Sequence, residues 1–169
     1  MNIRQGFTLV ELMVSVLITS VIAAIALPSL SNWYQASRAN ANIEALASLA
    51  KLARNHAVSY GVRVTICPLA SGKCSNDWRA ELTAFTDQGS TNELDGTDVI
   101  LSRLPAVEDG DSRNYSRTSL RFLSDGLASG ANGTLKFCPQ KPDSPFAKAL
   151  IINNAGRIRK SSEFANCNN

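Results

Sequence analysis

Gly6–Pro28 reads GFTLVELMVSVLITSVIAAIALP, and this stretch decides what the rest of the chain can be. From Phe7 to Leu27, 21 residues carry one charge, Glu11. As a helix the run would span roughly 32 Å at about 1.5 Å per residue, enough to cross a hydrocarbon core of about 30 Å. A carboxylate at the centre of a bilayer costs about 2.5–3.5 kcal/mol, so Glu11 needs a partner. The residues before the run matter equally. MNIRQG forms a short leader with one cation, Arg4, and ends in Gly6 directly before the apolar stretch. A secretory signal places its small-residue cleavage site after the apolar region; cleavage at this junction would keep the hydrophobic helix.

Gly6-Phe7-Thr8-Leu9-Val10-Glu11-Leu12 resembles the class III signal of type IV pilins and type II secretion pseudopilins. The resemblance implies cleavage by a prepilin peptidase after Gly6 and N-methylation of Phe7 as the new terminus. It also implies an assembly role for Glu11, which would neutralise the amino terminus of a neighbouring subunit. The physics agrees, because a free α-amino group buried among helices is the charge that a lone buried carboxylate requires. The competing reading is a plain single-pass anchor with an incidental Glu.

After the leader and anchor, about 110 residues remain beyond Tyr60, enough for one small domain with a core of its own. The formal net charge is +3, and removing the leader leaves 16 basic against 14 acidic side chains. That balance is too weak to imply nucleic-acid binding by the domain as a whole, so any basic function must be local. Four cysteines, Cys67, Cys74, Cys138 and Cys167, form no C-x-x-C pair of the zinc or thioredoxin type. An even number in a domain carried across the inner membrane suits disulfides in an oxidising periplasm. Of the three connectivities, the reading favours Cys67–Cys74 around a small loop and Cys138–Cys167 tying down the tail, each worth about 2–4 kcal/mol.

Pro28 closes the apolar run and would kink or break a helix there. Beyond it Ile43, Leu46, Ala50, Ala53 and Ala57 recur at three- and four-residue steps with Arg38, Glu44, Lys51 and Arg54 between them, which predicts an amphipathic helix to about Tyr60. Gly61 is the expected C-cap. His56, the one histidine, reads as a surface or packing residue. From Val62 the period becomes two: Val62, Val64 and Ile66 alternate with Arg63, Thr65 and Cys67, predicting a half-buried strand. Further strands are expected at 78–86, 99–104, 119–123, 134–138 and 149–153, separated by turn-rich segments such as 87–96 and 109–113. Short strands after one long helix give an α+β fold: the helix packed on an antiparallel β-domain, a small two-sheet sandwich. The expected organisation is a leader at 1–6, a transmembrane and assembly helix at 7–28, an amphipathic helical half at 29–60 and a periplasmic β-domain at 61–169.

Ala53-Arg54-Asn55-His56-Ala57-Val58, Phe122-Leu123-Ser124-Asp125-Gly126, Asn132-Gly133-Thr134-Leu135-Lys136-Phe137-Cys138-Pro139 and Ile151-Ile152-Asn153-Asn154-Ala155-Gly156-Arg157-Ile158-Arg159 follow in that order. Together they resemble the FimT/FimU and GspH group of minor pilins and pseudopilins; the segment from Ser75 to Arg117 departs from the pattern. In FimT-type pilins a matching GRxR motif is associated with DNA binding, so the resemblance makes Arg157 and Arg159 the candidate carriers, with Lys160 as a helper. In an extended segment alternate residues face one way, and paired guanidinium groups suit phosphate oxygens. The same arginines could equally stay solvated or pair with neighbouring subunits. Arg113, Arg117 and Arg121 would enlarge a phosphate patch if folded beside the tail. Phe164 reads as a plug under the Cys138–Cys167 bridge, and with few aromatics nearby any binding should be backbone-dominated and salt-sensitive.

Enzymatic readings fail for want of a phosphate-cradling Gly loop, a metal-spaced cluster or a triad, and no cofactor or metal is expected. Glu108, Asp109 and Asp111 around Gly110 read as a solvated turn in preference to a weak Ca²⁺ site. The chain therefore reads as a minor pilin, a single-pass prepilin of the inner membrane that joins other major and minor pilins in a pilus. The alternatives are a receptor pilin for double-stranded DNA in natural transformation and a GspH-like pseudopilin of type II secretion.

Overall fold

The computed structural model describes residues 8–128, 130–162 and 166–167; the leader, Gly6, Phe7 and Phe164 lie outside them. One helix, α1 (Leu9–Tyr60), includes Pro28. Of the kink or break expected at Pro28, the break is absent. Proline removes one amide donor, and the turns on either side hold the helical register across that single loss. At the start, the Glu11 amide donates to Thr8 Oγ1 at 3.2 Å, making Thr8 the N-cap. At the end, Gly61 takes φ +66° and the Val62 amide donates to the Ala57 carbonyl at 3.1 Å, a Schellman closure.

The chain divides into two units, residues 1–35 and 36–169. In the first, the described residues from Leu9 onward are helical and expose Leu9, Leu17, Ile25 and Trp33 on all sides. Ser15, Thr19 and Ser20 donate their hydroxyls back to carbonyls three or four residues earlier, so little polar surface interrupts the apolar cylinder. Its most apolar 18-residue window has a mean hydropathy of 2.4, long and apolar enough to cross a membrane.

In the second unit, the remaining part of α1 buries Ala39, Ile43, Leu46, Ala47, Ala50, Ala53 and Ala57. Small side chains on this stripe let sheets approach closely. Among the described residues nine strands follow: β1 (Val64–Ala70), β2 (Lys73–Cys74), β3 (Leu82–Thr86), β4 (Ile100–Leu104), β5 (Ser112–Tyr115), β6 (Leu120–Phe122), β7 (Gly133–Cys138), β8 (Lys148–Ile152) and β9 (Ile158–Ser161). They form two antiparallel sheets, β2-β1-β3-β4 with β6 also on β1, and β5-β7-β8-β9. Val64, Ile66, Leu82, Leu120 and Phe122 of the first sheet and Leu135, Leu150 and Ile152 of the second join the α1 stripe in one core.

Three strand expectations need correction. The strand expected at 78–86 begins only at Leu82, with Trp78 and Arg79 in a turn before it. β1 is buried on both faces from Val64 to Pro68, where a half-buried strand was expected. Thr65 donates its hydroxyl to the buried Asp87 carboxylate, and Cys67 is bridged to Cys74, so the polar alternates have their own partners. The segment 109–113, expected as a turn, runs into β5, because Arg113 buries its guanidinium inside the domain. The second bridge joins Cys138 to Cys167, whose amide donates to the Pro142 carbonyl.

Candidate functional site

The hairpin joining β8 to β9 presents the arginines singled out by sequence. Asn153 organises its turn: the Gly156 amide donates to the Asn153 carbonyl at 2.9 Å and the Arg157 amide to Asn153 Oδ1 at 2.9 Å. Gly156 has φ +71°, and a Cβ there would lie 2.0 Å from the Gly126 carbonyl oxygen. Glycine is required on both counts. Arg54 of α1 fixes the same spot from below, donating through Nε to the Gly126 carbonyl at 3.1 Å and through Nη2 to the Ala155 carbonyl at 3.2 Å. The helix thus staples two turns together under the arginine pair.

Arg157 and Arg159 are exposed and, with Ile151 and Asn153, line one open groove of about 390 Å³. Arg159 stands opposite Ile151 in the β8–β9 register, so the extended geometry does bring both guanidinium groups to one face. Lys160 does not join them. It is the neighbouring residue on β9, points to the other face and pairs with Glu44 of α1. That hydrogen bond holds the Glu44 carboxyl below the usual carboxylate range.

The other cations separate as well. Arg113 is buried and donates to the carbonyls of Trp78 and Ala80, both at 2.6 Å, and burial lowers its pKa to about 10. It is a structural cross-link with no reach to the tail. Arg121 lies on β6 opposite Thr65, in the first sheet. Arg117 is exposed, and its carbonyl accepts the Trp78 indole N–H at 2.8 Å. The acidic loop is a turn at Asp109 and Gly110 with Glu108, Asp109 and Gly110 exposed; only Asp111 departs from the solvated reading, buried where it pairs with Arg38, which also pairs with Glu108, and where it accepts from the Gln140 amide at Oδ1. Among the described residues no group of three His, Cys, Asp or Glu is placed to hold a metal ion. His56 stacks on Tyr60 with ring centroids 4.3 Å apart, a packing role.

At the other end, the Glu11 carboxylate is on an exposed part of α1 and its backbone is capped by Thr8. Thr8 went unread in sequence although T-x-x-E is a recognisable capping pattern. Gly6 and Phe7 lie outside the described residues. Arg54, Gly126 and Asn153 were also missed as supports of the arginine pair. Only the glycine carried a signal, as a turn residue.

Comparison with known proteins gives two family matches. The Type II transport protein GspH family matches residues 42–156, and the prokaryotic N-terminal methylation motif matches residues 1–27. The fold is similar to that of the type IV minor pilin FimU of Pseudomonas aeruginosa in two crystal forms. One is 20% identical with a TM-score of 0.63, covering 78% of this chain and 96% of that one. The other is 22% identical with a TM-score of 0.57, covering 73% and 95%. The GspH match ends at Gly156, one residue before the arginine pair.

Proposed function

This chain belongs to the GspH family, within the type IV minor pilins and pseudopilins, and from that membership we propose that it is a minor pilin. Prepilin peptidase removes residues 1–6 after Gly6, and Phe7 becomes the N-methylated terminus. Before assembly the apolar part of α1 holds the chain in the inner membrane with its β-domain in the periplasm. In the filament that same helix packs among other pilins, and Glu11 matches a neighbour's amino terminus. The chain works by packing and contact, without catalysis. The observation that carries the reading is the methylation motif over residues 1–27 running into a helix with exposed apolar residues on every side.

Processing and assembly are tested separately. Gly6→Leu is expected to leave the chain at its unprocessed mass, and a mature product from that variant would remove the cleavage assignment. Glu11→Ala is expected to be processed yet absent from sheared filaments; normal incorporation would remove its assembly role. Loss of a pilus phenotype on deletion, with secretion intact, separates the minor pilin from a type II secretion pseudopilin.

A second reading is favoured by one specific observation, the groove that gathers Arg157 and Arg159 on a single face. In that reading the pilin also grips double-stranded DNA through its phosphates during natural transformation.

A further inference from the structure

We infer that the grip extends beyond the arginine pair: the outward face of the second sheet is a duplex-binding track running from Arg157 and Arg159 to Lys136 and Arg117. The inference rests on the DNA reading above and adds the residues and the binding mode. Strand register carries it. Thr134, Ile151 and Arg159 are successive partners across β7, β8 and β9, and Asn114, Lys136, Ala149 and Ser161 form the next row across all four strands, in which Ala149 is buried and the other three are half-buried. Lys136 and Thr134 share an open groove of about 380 Å³ with Arg117. Because Thr134 pairs with Ile151, that groove adjoins the one lined by Arg157 and Arg159. Lys136 therefore stands two strands, about 10 Å, across the sheet from Arg159 and about 7 Å along it.

Three features select a duplex as the occupant. First, β5, β7, β8 and β9 contain no Asp or Glu, so no carboxylate on these strands opposes a polyanion. Among the described residues, none of Arg117, Lys136, Arg157 and Arg159 takes part in an ion pair. Arg38, Arg63, Lys73, Arg103 and Lys160 all do. Second, among the described residues the outward positions carry no aromatic ring, and the Tyr115 ring lining the Lys136 groove is buried with its hydroxyl on the Ala131 carbonyl, so neither offers the stacking platform that single-stranded binding relies on. Third, among the described residues lining the two grooves the large apolar groups are Ile151 and the buried ring of Tyr115, too little for the apolar centre of a protein interface. Cations spread over about 10 Å meet several phosphates at once on a duplex with one charge per about 1.7 Å of axis.

The test uses the full chain in non-ionic detergent, titrated with a short mixed-sequence duplex over a range of salt concentrations. Four phosphate contacts predict a log K against log salt slope of about −3.6, and R117Q/K136Q should reduce its magnitude by about 2 while leaving residual binding. K73Q/R103Q, which removes two cations of the first sheet, should leave the slope unchanged. An unchanged slope in R117Q/K136Q, with binding abolished in R157Q/R159Q, would overturn the extension and leave the arginine grip standing. An equal drop in K73Q/R103Q would reduce the effect to net charge and overturn the track. Competition by polyglutamate as strong as by unlabelled duplex would point to an acidic protein partner and overturn it too. No duplex binding by the unaltered chain at low salt would remove both the track and the DNA reading beneath it.

Discussion

The two sheets share one helix and differ on the faces turned away from it. In the first sheet the far side is closed: Thr65, Cys67, Thr83 and Phe85 are all buried. Asp87 is the fastening, accepting from the Thr65 hydroxyl at 2.5 Å, the Asn92 amide at 3.2 Å and Arg63 at 3.3 Å. In the second sheet the far side is closed at Ala149 and Cys138, both buried, and open around them, with Thr134, Lys136 and Ile151 half-buried and Arg159 exposed. A closed face demands complementary partners and fixes the fold, whereas an open one leaves side chains available for contact outside the molecule.

The largest effect should come from unfastening the closed face. Asp87→Ala leaves Arg63 and the Thr65 hydroxyl without their acceptor and should cost about 3 kcal/mol or more in chemical denaturation. Thr134→Ala on the open face should stay within about 0.5 kcal/mol. Equal costs would erase the distinction. Next come the bridges, one on each sheet. Chain-entropy arguments give about 2.5 kcal/mol for Cys67–Cys74 and about 3.5 kcal/mol for Cys138–Cys167, so paired Cys→Ser variants should differ in that order on denaturation.

A smaller effect is expected where the open face is supported from below. Gly156→Ala would place its Cβ against the Gly126 carbonyl and strain a positive φ, costing about 1–3 kcal/mol and weakening duplex binding without removing a cation. Unchanged thermal stability would show that the Arg54 staple tolerates a shifted turn. Alkali should give the smallest effect. Burial raises the pKa of the Tyr115 phenol, which donates to the Ala131 carbonyl, so above about pH 10 the unfolded chain ionises while the folded one keeps its proton. Its contribution to stability is thus lost as pH rises, by about 1 kcal/mol between pH 10 and 11, and Tyr115→Phe should flatten that slope in thermal melts.

Sequence carried the helix, its C-cap and the strands with clear alternation, because those signals are local. Pro28 does not break the helix, since one missing donor does not outweigh the turns around it. β1 looked half-buried because alternation reports polarity, and Thr65 and Cys67 found partners far along the chain. Arg113 hid β5 for a similar reason: a guanidinium in a polar stretch reads as surface until backbone carbonyls from another segment surround it. At the site, a period of two placed Arg157 and Arg159 together. The same period should have excluded Lys160, whose neighbouring position on the strand turns it towards Glu44. The alignment of Lys136 with the arginine face depends on pairing between distant strands, which no local pattern encodes.

The most direct test of the account is peptide mapping of sheared filaments after labelling with a membrane-impermeant amine reagent. The account predicts a chain that begins at N-methylated Phe7 and carries label on Lys136, on the open face. A chain found only in membranes with its leader attached, or a filament-borne chain with Lys136 protected, would contradict it.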